Sequence, residues 1–248
     1  MKSSFFGAGR TVFGGISGTT FIPSSQTWLW DGNNWKQAHP RVSPPALFGH
    51  AMAYDPLLRK VVLFGGYGPY GEANDTWTWD GTNWAQVNTA PSPSPRTGHA
   101  MTFDAAHGQV VLFGGFVSQP AATWFADTWL FDGKGWHQAA PAATPTGRLG
   151  HTLAYHPALQ KVVLIGGSGG KGVTDTTWYY DFRRETWLWD GTTWTQEFPA
   201  MQPGPAYTPA AVYDDTKQAL TVHLGDDLTC ASRGPKTFRL VGPNAPAN

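Results

Sequence analysis

The sequence predicts an all-β fold: a β-propeller of five blades, each with up to four short antiparallel strands, the first and last blades incomplete. A unit of roughly 50 residues recurs along the chain, and a period of that length marks a propeller or a solenoid. In the most regular copy, Gly98 to Trp136, the segments HAMTFD, QVVLFGG, DTWLFDG and a short one opening at Trp136 each have the length of a strand. They are rich in β-branched and aromatic residues and bounded by Gly, Pro, Asp or Ser. The second segment, Val110 to Phe113, is apolar at every position, which suits a strand covered on both faces by neighbouring sheets.

Taken in order, the units follow the glycine pair that ends each second strand, at Gly14, Gly65, Gly114 and Gly166, with Gly225 and Asp226 as a degenerate fifth form. Third strands begin at Thr27, Thr76, Thr128 and Thr186, with KTFRLVG from Lys236 in the fifth unit, and a tryptophan opens the fourth strand at Trp35, Trp84, Trp136 and Trp194. An Asp-Gly pair between these two strands signals a hairpin, because Gly tolerates positive φ and Asp bonds the turn backbone.

The first unit has only KSSFF for an innermost strand, turning through Gly7, Ala8 and Gly9 into RTVFGG. Proline-rich stretches at 39–48, 90–96 and 140–148 read as stiff crossings from one blade to the next. The fifth unit has Thr208 and Pro209 where others have Gly-His, and no fourth strand, so its outer edge is open for self-association or docking, with Lys236 and Arg239 as charges that discourage strand addition. The expected blades are 1–39, 40–90, 91–141, 142–198 and 199–242, with a 243–248 tail, in one domain spanning 1–248. A closed ring is preferred over a segment of a longer repeat protein, since worn terminal units suit a capped array.

The glycine pair after an apolar strand, the aromatic third strand and the tryptophan opening the fourth resemble the Kelch repeat, in its bacterial style of about 50 residues with a Gly-His pair on the first strand. The resemblance covers almost the whole chain and implies a Kelch-type propeller. It implies little about activity, because propellers host many unrelated functions. Galactose oxidase, built on a Kelch-type propeller, suggests a copper enzyme as one alternative. Its chemistry requires a Cys cross-linked to a Tyr, whereas the sole cysteine here, Cys230, lies in the degenerate fifth unit and no tyrosine precedes the Gly-His positions. Tyr155 and His156 adjoin only at the far end of their strand, so the oxidase site is expected to be absent.

Composition narrows the partners. Basic and acidic residues balance at 17 each and form no basic stripe, leaving phosphate backbones no electrostatic source of attraction, so no nucleic-acid partner is expected. No apolar run has the length of a membrane span, and MKSSFFGAG is too short for a signal peptide, so the expectation is a soluble chain of undetermined compartment. The 30 glycines and 20 prolines recur at fixed offsets, and 13 tryptophans argue for a packed core rather than disorder.

Candidate chemistry divides into two sets. His50, His99 and His151 share one repeat position at the start of the innermost strand and could ring a channel mouth as metal ligands. Ligands on separate blades spread around an axis, however, while a metal needs ring nitrogens at about 2.0–2.1 Å. The preferred reading is therefore that each bonds backbone of its own blade or the next, helped by Arg96 and Arg148 nearby, with no metal or other cofactor. Asp31, Asp80, Asp132 and Asp190 read as turn formers, and Asp75 and Asp127 as acceptors for backbone N–H groups where third strands begin. The glycine-rich 166–172 stretch fails the phosphate-loop spacing and reads as a flexible loop.

Aromatic residues off the repeat pattern point to binding. Tyr67, Tyr70, Trp124, Trp178, Tyr179 and Tyr180 all fall between second and third strands, where core packing does not require them. With Arg148 and Arg183 as polar partners they predict a non-catalytic face that recognises a protein segment or a glycan, the fourth-unit stretch 168–184 being the longest. A metal-dependent enzyme and a structural segment of a larger surface protein are the alternatives.

Overall fold

A computed structural model describes residues 2–6, 9–17, 22–174, 177–198, 209–223 and 237–241. They form a five-bladed β-propeller. Blade one comprises β1 (Lys2–Phe6), β2 (Gly9–Phe13), the short pair β3 (Ile16–Ser17) and β4 (Ile22–Pro23), then β5 (Thr27–Trp30) and β6 (Trp35–Ala38). Blade two is β7 (Ala51–Asp55), β8 (Lys60–Gly68), β9 (Gly71–Trp79) and β10 (Trp84–Val87). Blade three is β11 (Ala100–Asp104), β12 (Gln109–Phe113), the pair β13 (Phe116–Val117) and β14 (Thr123–Trp124), then β15 (Thr128–Phe131) and β16 (Trp136–Gln138). Blade four is β17 (Thr152–His156), β18 (Lys161–Ile165), the pair β19 (Ser168–Thr174) and β20 (Thr177–Phe182), then β21 (Thr186–Trp189) and β22 (Trp194–Glu197). Blade five is β23 (Ala210–Asp214), β24 (Ala219–His223) and β25 (Thr237–Val241).

Each main sheet runs antiparallel from inner to outer strand, as in β11-β12-β15-β16, and blade five has three strands among the described residues. The innermost strands pack in sequence, β1 on β7, β7 on β11, β11 on β17 and β17 on β23. The second strands are buried on both faces as their composition predicts: Val61 to Phe64, Val110 to Phe113 and Val162 to Leu164 expose nothing. Alternate side chains of each strand enter different seams, so that Val62 and Phe64 pack with Val110 and Leu112 while Val61 and Leu63 pack back onto Phe13.

The Asp-Gly turns behave as expected. Asp80 Oδ1 accepts the backbone N–H groups of Thr82 and Asn83, both at 2.8 Å. The Asn83 bond is the main reason its carboxyl sits below the usual range. Asp31, Asp132 and Asp190 make the same pair of bonds.

Two readings need correction. The 166–172 stretch is not a loose loop: Ser168, Gly169, Gly170 and Lys171 pair with Phe182, Asp181, Tyr180 and Tyr179, with a bulge between Lys171 and Thr174. Antiparallel pairing satisfies the glycine backbone that composition alone left open. Among the described residues, Asp127 and Asp75 bond side chains rather than backbone N–H groups. Asp127 takes the Arg96 guanidinium and the Trp129 indole, and Asp75 takes Gln86 Nε2 at 2.8 Å. Gly7, Ala8, Thr208, Gly225, Asp226, Cys230, Lys236 and the 243–248 tail lie outside the described residues.

Candidate functional site

The second-to-third-strand connections of blades two, three and four emerge on one face, which the glycine pairs shape. Gly65 and Gly66 have φ of 60° and 107°, a region that side chains other than Gly avoid. A Cβ on Gly65 would lie 2.7 Å from the Arg96 carbonyl oxygen and 3.0 Å from His99, and one on Gly66 would meet His50 at 2.9 Å. The glycine pairs of blades two and three thus let the histidines of their own and the next blade wedge into the seam. His50, His99 and His151 are 0–4 % exposed, and His99 Nε2 lies 3.1 Å from the Phe64 carbonyl oxygen of the preceding blade. Phe13, Phe64 and Phe113 meet these three rings edge-on at 5.5–5.6 Å. The histidines are packing wedges in three separate seams. Among the described residues no three His, Cys, Asp or Glu side chains are grouped to hold a metal.

Arg96 and Arg148 brace the same face from beneath. Arg96 donates to both Asp127 carboxylate oxygens at 2.6 and 2.8 Å and to the Gly114 carbonyl at 3.0 Å. Arg148 repeats this on Glu185 at 2.6 Å and the Gly166 carbonyl at 3.1 Å. Burial pushes Glu185 upward, yet the Arg148 hydrogen bond and charge outweigh it and hold the carboxyl below its ordinary value. Arg148 was expected to meet a ligand; with its side chain fully buried it supports the face instead.

Above this frame, blade two carries its own second and third strands outward as one continuous hairpin. β8 and β9 run nine residues each and close through Pro69 and Tyr70. Tyr67 is fixed by paired backbone bonds with Phe48 at 2.8 and 3.0 Å and by ring contact with it at 5.3 Å. Tyr70, at the tip, is fully exposed. Between this hairpin and blade three lies a groove of about 780 Å³ lined by Tyr67, Pro69, Tyr70, Pro95, Pro120 and Phe125, with Glu72 its one charged residue. Phe125 lies over the Arg96 guanidinium, 4.0 Å from Cζ to ring centroid. Glu72 Oε1 accepts the Ser118 N–H at 2.9 Å and ties the two walls together.

Of the residues singled out from sequence, Tyr67 and Tyr70 come together here. Trp124 does not join them: its indole lies against Gly170 of the next blade, its backbone against Gly147, and its ring 4.8 Å from Phe116. Its half-buried ring spans to blade four instead of lining the groove. Arg183 lies against Gly169, 2.9 Å from where a Cβ would stand. Trp178, Tyr179 and Tyr180 belong to β20 on the neighbouring hairpin, their side chains outside the described ones. The residues singled out from sequence do not include Phe125, Pro95, Pro120 or Glu72. The proline-rich stretch 90–96 was the available signal, read only as a linker.

Five blades of one repeating unit, with a wedged histidine and a glycine pair at three of the seams, define a Kelch-like propeller. A family model for the KLHDC2/KLHL20/DRC7 Kelch-repeats domain matches residues 82–230, and the chain belongs to the Kelch-repeat family. No curated protein matches it. Among the described residues no helix is long and apolar enough to cross a membrane.

Proposed function

We propose that the protein is a recognition module whose groove between the second- and third-blade hairpins holds an extended segment of a partner protein. The groove itself carries this reading: about 780 Å³, with aromatic and proline walls on a hydrogen-bonded frame. Kelch propellers generally bind proteins. Tyrosines supply large contact area at low conformational cost, and they are enriched among residues that dominate binding energy. With Glu72 the only charge in the lining, the groove suits an uncharged or basic segment better than a phosphorylated or acidic one. Trp178, Tyr179, Tyr180 and Arg183, on the hairpin of blade four, form a second contact region in the same reading.

The test is a peptide and glycan array probed with the intact chain, followed by the Tyr70→Ala variant. Because Tyr70 is fully exposed, its truncation is expected to leave the melting temperature almost unchanged while weakening a selected peptide at least about tenfold. Unchanged peptide affinity in Tyr70→Ala and in Tyr67→Ala would remove the groove from recognition. Glycans bound with no peptide bound would replace the partner class.

A further inference from the structure

The walls of the groove between the hairpins of blades two and three suit one ligand backbone better than another. Three lining residues, Pro69, Pro95 and Pro120, bring no N–H donor to it. Tyr67 gives its own N–H and C=O to Phe48, and the Ser118 N–H goes to Glu72 Oε1. An extended segment entering here therefore meets no continuous strand edge on which to build a ladder of backbone bonds.

The lining offers side-chain chemistry instead. The hydroxyls of Tyr67, Tyr70 and Ser94 and the amide of Gln119 are hydrogen-bond donors on exposed residues. Two rings are held in place beforehand, Phe125 over the Arg96 guanidinium at 4.0 Å and Tyr67 against Phe48 at 5.3 Å. Side-chain donors match a ligand rich in free carbonyl oxygens and poor in N–H groups, and fixed aromatic rings match flat apolar ones. A polyproline II helix has these properties: it makes no internal hydrogen bonds, and its prolines leave no N–H stranded on burial. With three residues per turn and a rise of about 3.1 Å each, residues i and i+3 return to one edge about 9 Å apart.

We propose, resting on the groove as the recognition site, that its ligand is a proline-rich segment in the polyproline II conformation. Prolines at i and i+3 lie against Tyr67, Tyr70 and Phe125, and an Arg or Lys of the segment pairs with Glu72, the one charged residue of the lining. Ser118 engages one Glu72 oxygen, and the second serves the ligand's cation. Because the helix is already formed in the free segment, docking costs little conformational entropy.

Fluorescence anisotropy of the intact chain with three labelled peptides tests this. The first has prolines at i and i+3 and a flanking arginine, the second has alanine for those prolines, and the third has alanine for the arginine. The first is expected to bind and the second to bind at least about tenfold more weakly. The third is expected to bind about two- to fivefold more weakly than the first, the size of an exposed ion pair. Glu72→Gln keeps an acceptor for Ser118 and is expected to erase the difference between the first and third. A first peptide that does not bind, or binds no better than the second, overturns the proline-rich ligand; array peptides that still depend on Tyr70 then leave the groove standing as a recognition site. A preference for arginine that persists in Glu72→Gln overturns the pairing with Glu72. Binding of the first peptide that is indifferent to both Tyr67→Ala and Tyr70→Ala removes the groove and this ligand together.

Discussion

At the scale of single residues, one position shows how the repeat tolerates a change of chemistry. The turn between first and second strands carries Asp55, Asp104 and Asp214, and Asp55 Oδ1 accepts the N–H groups of Leu57 and Leu58 at 2.9 and 3.0 Å. Blade four has His156 there, fully buried, and its Nδ1 accepts the Leu159 N–H at 3.3 Å. That bond requires a neutral ring. Burial pushes the His156 pKa below its ordinary value, the Leu240 and His156 backbones offsetting it only in part, and Tyr213 of blade five packs edge-on at 5.0 Å. A histidine depressed in the folded state adds stability above the unfolded pKa of about 6.5, and that stability is lost as pH falls toward the folded value. The melting temperature is expected to decline over this window in the wild type and to decline less in His156→Asp, which restores the acceptor of the other blades. Parallel pH profiles for the two proteins would mean that the seam between blades four and five does not sense this proton.

At the scale of the strand and its seam, the Trp-to-Thr bond is the smallest unit that links two blades. Thr76→Val keeps the shape but leaves the buried Trp136 indole N–H unpaired, a loss of about 1–3 kcal/mol. Denaturant midpoints would measure it, and the same substitution is expected to cost much less in a Trp136→Phe background, where no indole N–H remains to be stranded. Equal costs in both backgrounds would show that the hydroxyl contributes something other than this bond. These elements were legible in the sequence because their determinants are local and recur: a glycine pair, an Asp-Gly turn, a tryptophan at a fixed offset. The site was legible only in part. Arg148 reads as a surface cation until its partner Glu185, 37 residues away, is placed beside it. Glu72 and Ser118, which join the groove walls, are 46 residues apart. Trp124 looked surplus because the Gly170 backbone it covers belongs to another blade.

At the scale of the whole molecule, stability follows from counting seams. A repeat array is held by intrinsic blade stabilities and nearest-neighbour contacts, so a blade covered on both sides opens less often than one covered on one side. Blades two, three and four each share buried clusters with two neighbours, whereas the described contacts of blades one and five lie in one seam each. Amide exchange followed by mass spectrometry is expected to be slowest in β12 and β18 and fastest in β6 and β25. Weakening the seam between blades three and four with Thr128→Val, which strands the Trp194 indole, is expected to speed exchange in blades four and five more than in blade two. Uniform exchange across all blades, shifted equally everywhere by Thr128→Val, would show that the propeller opens as one cooperative body, with the seams too strongly coupled for the end blades to act alone.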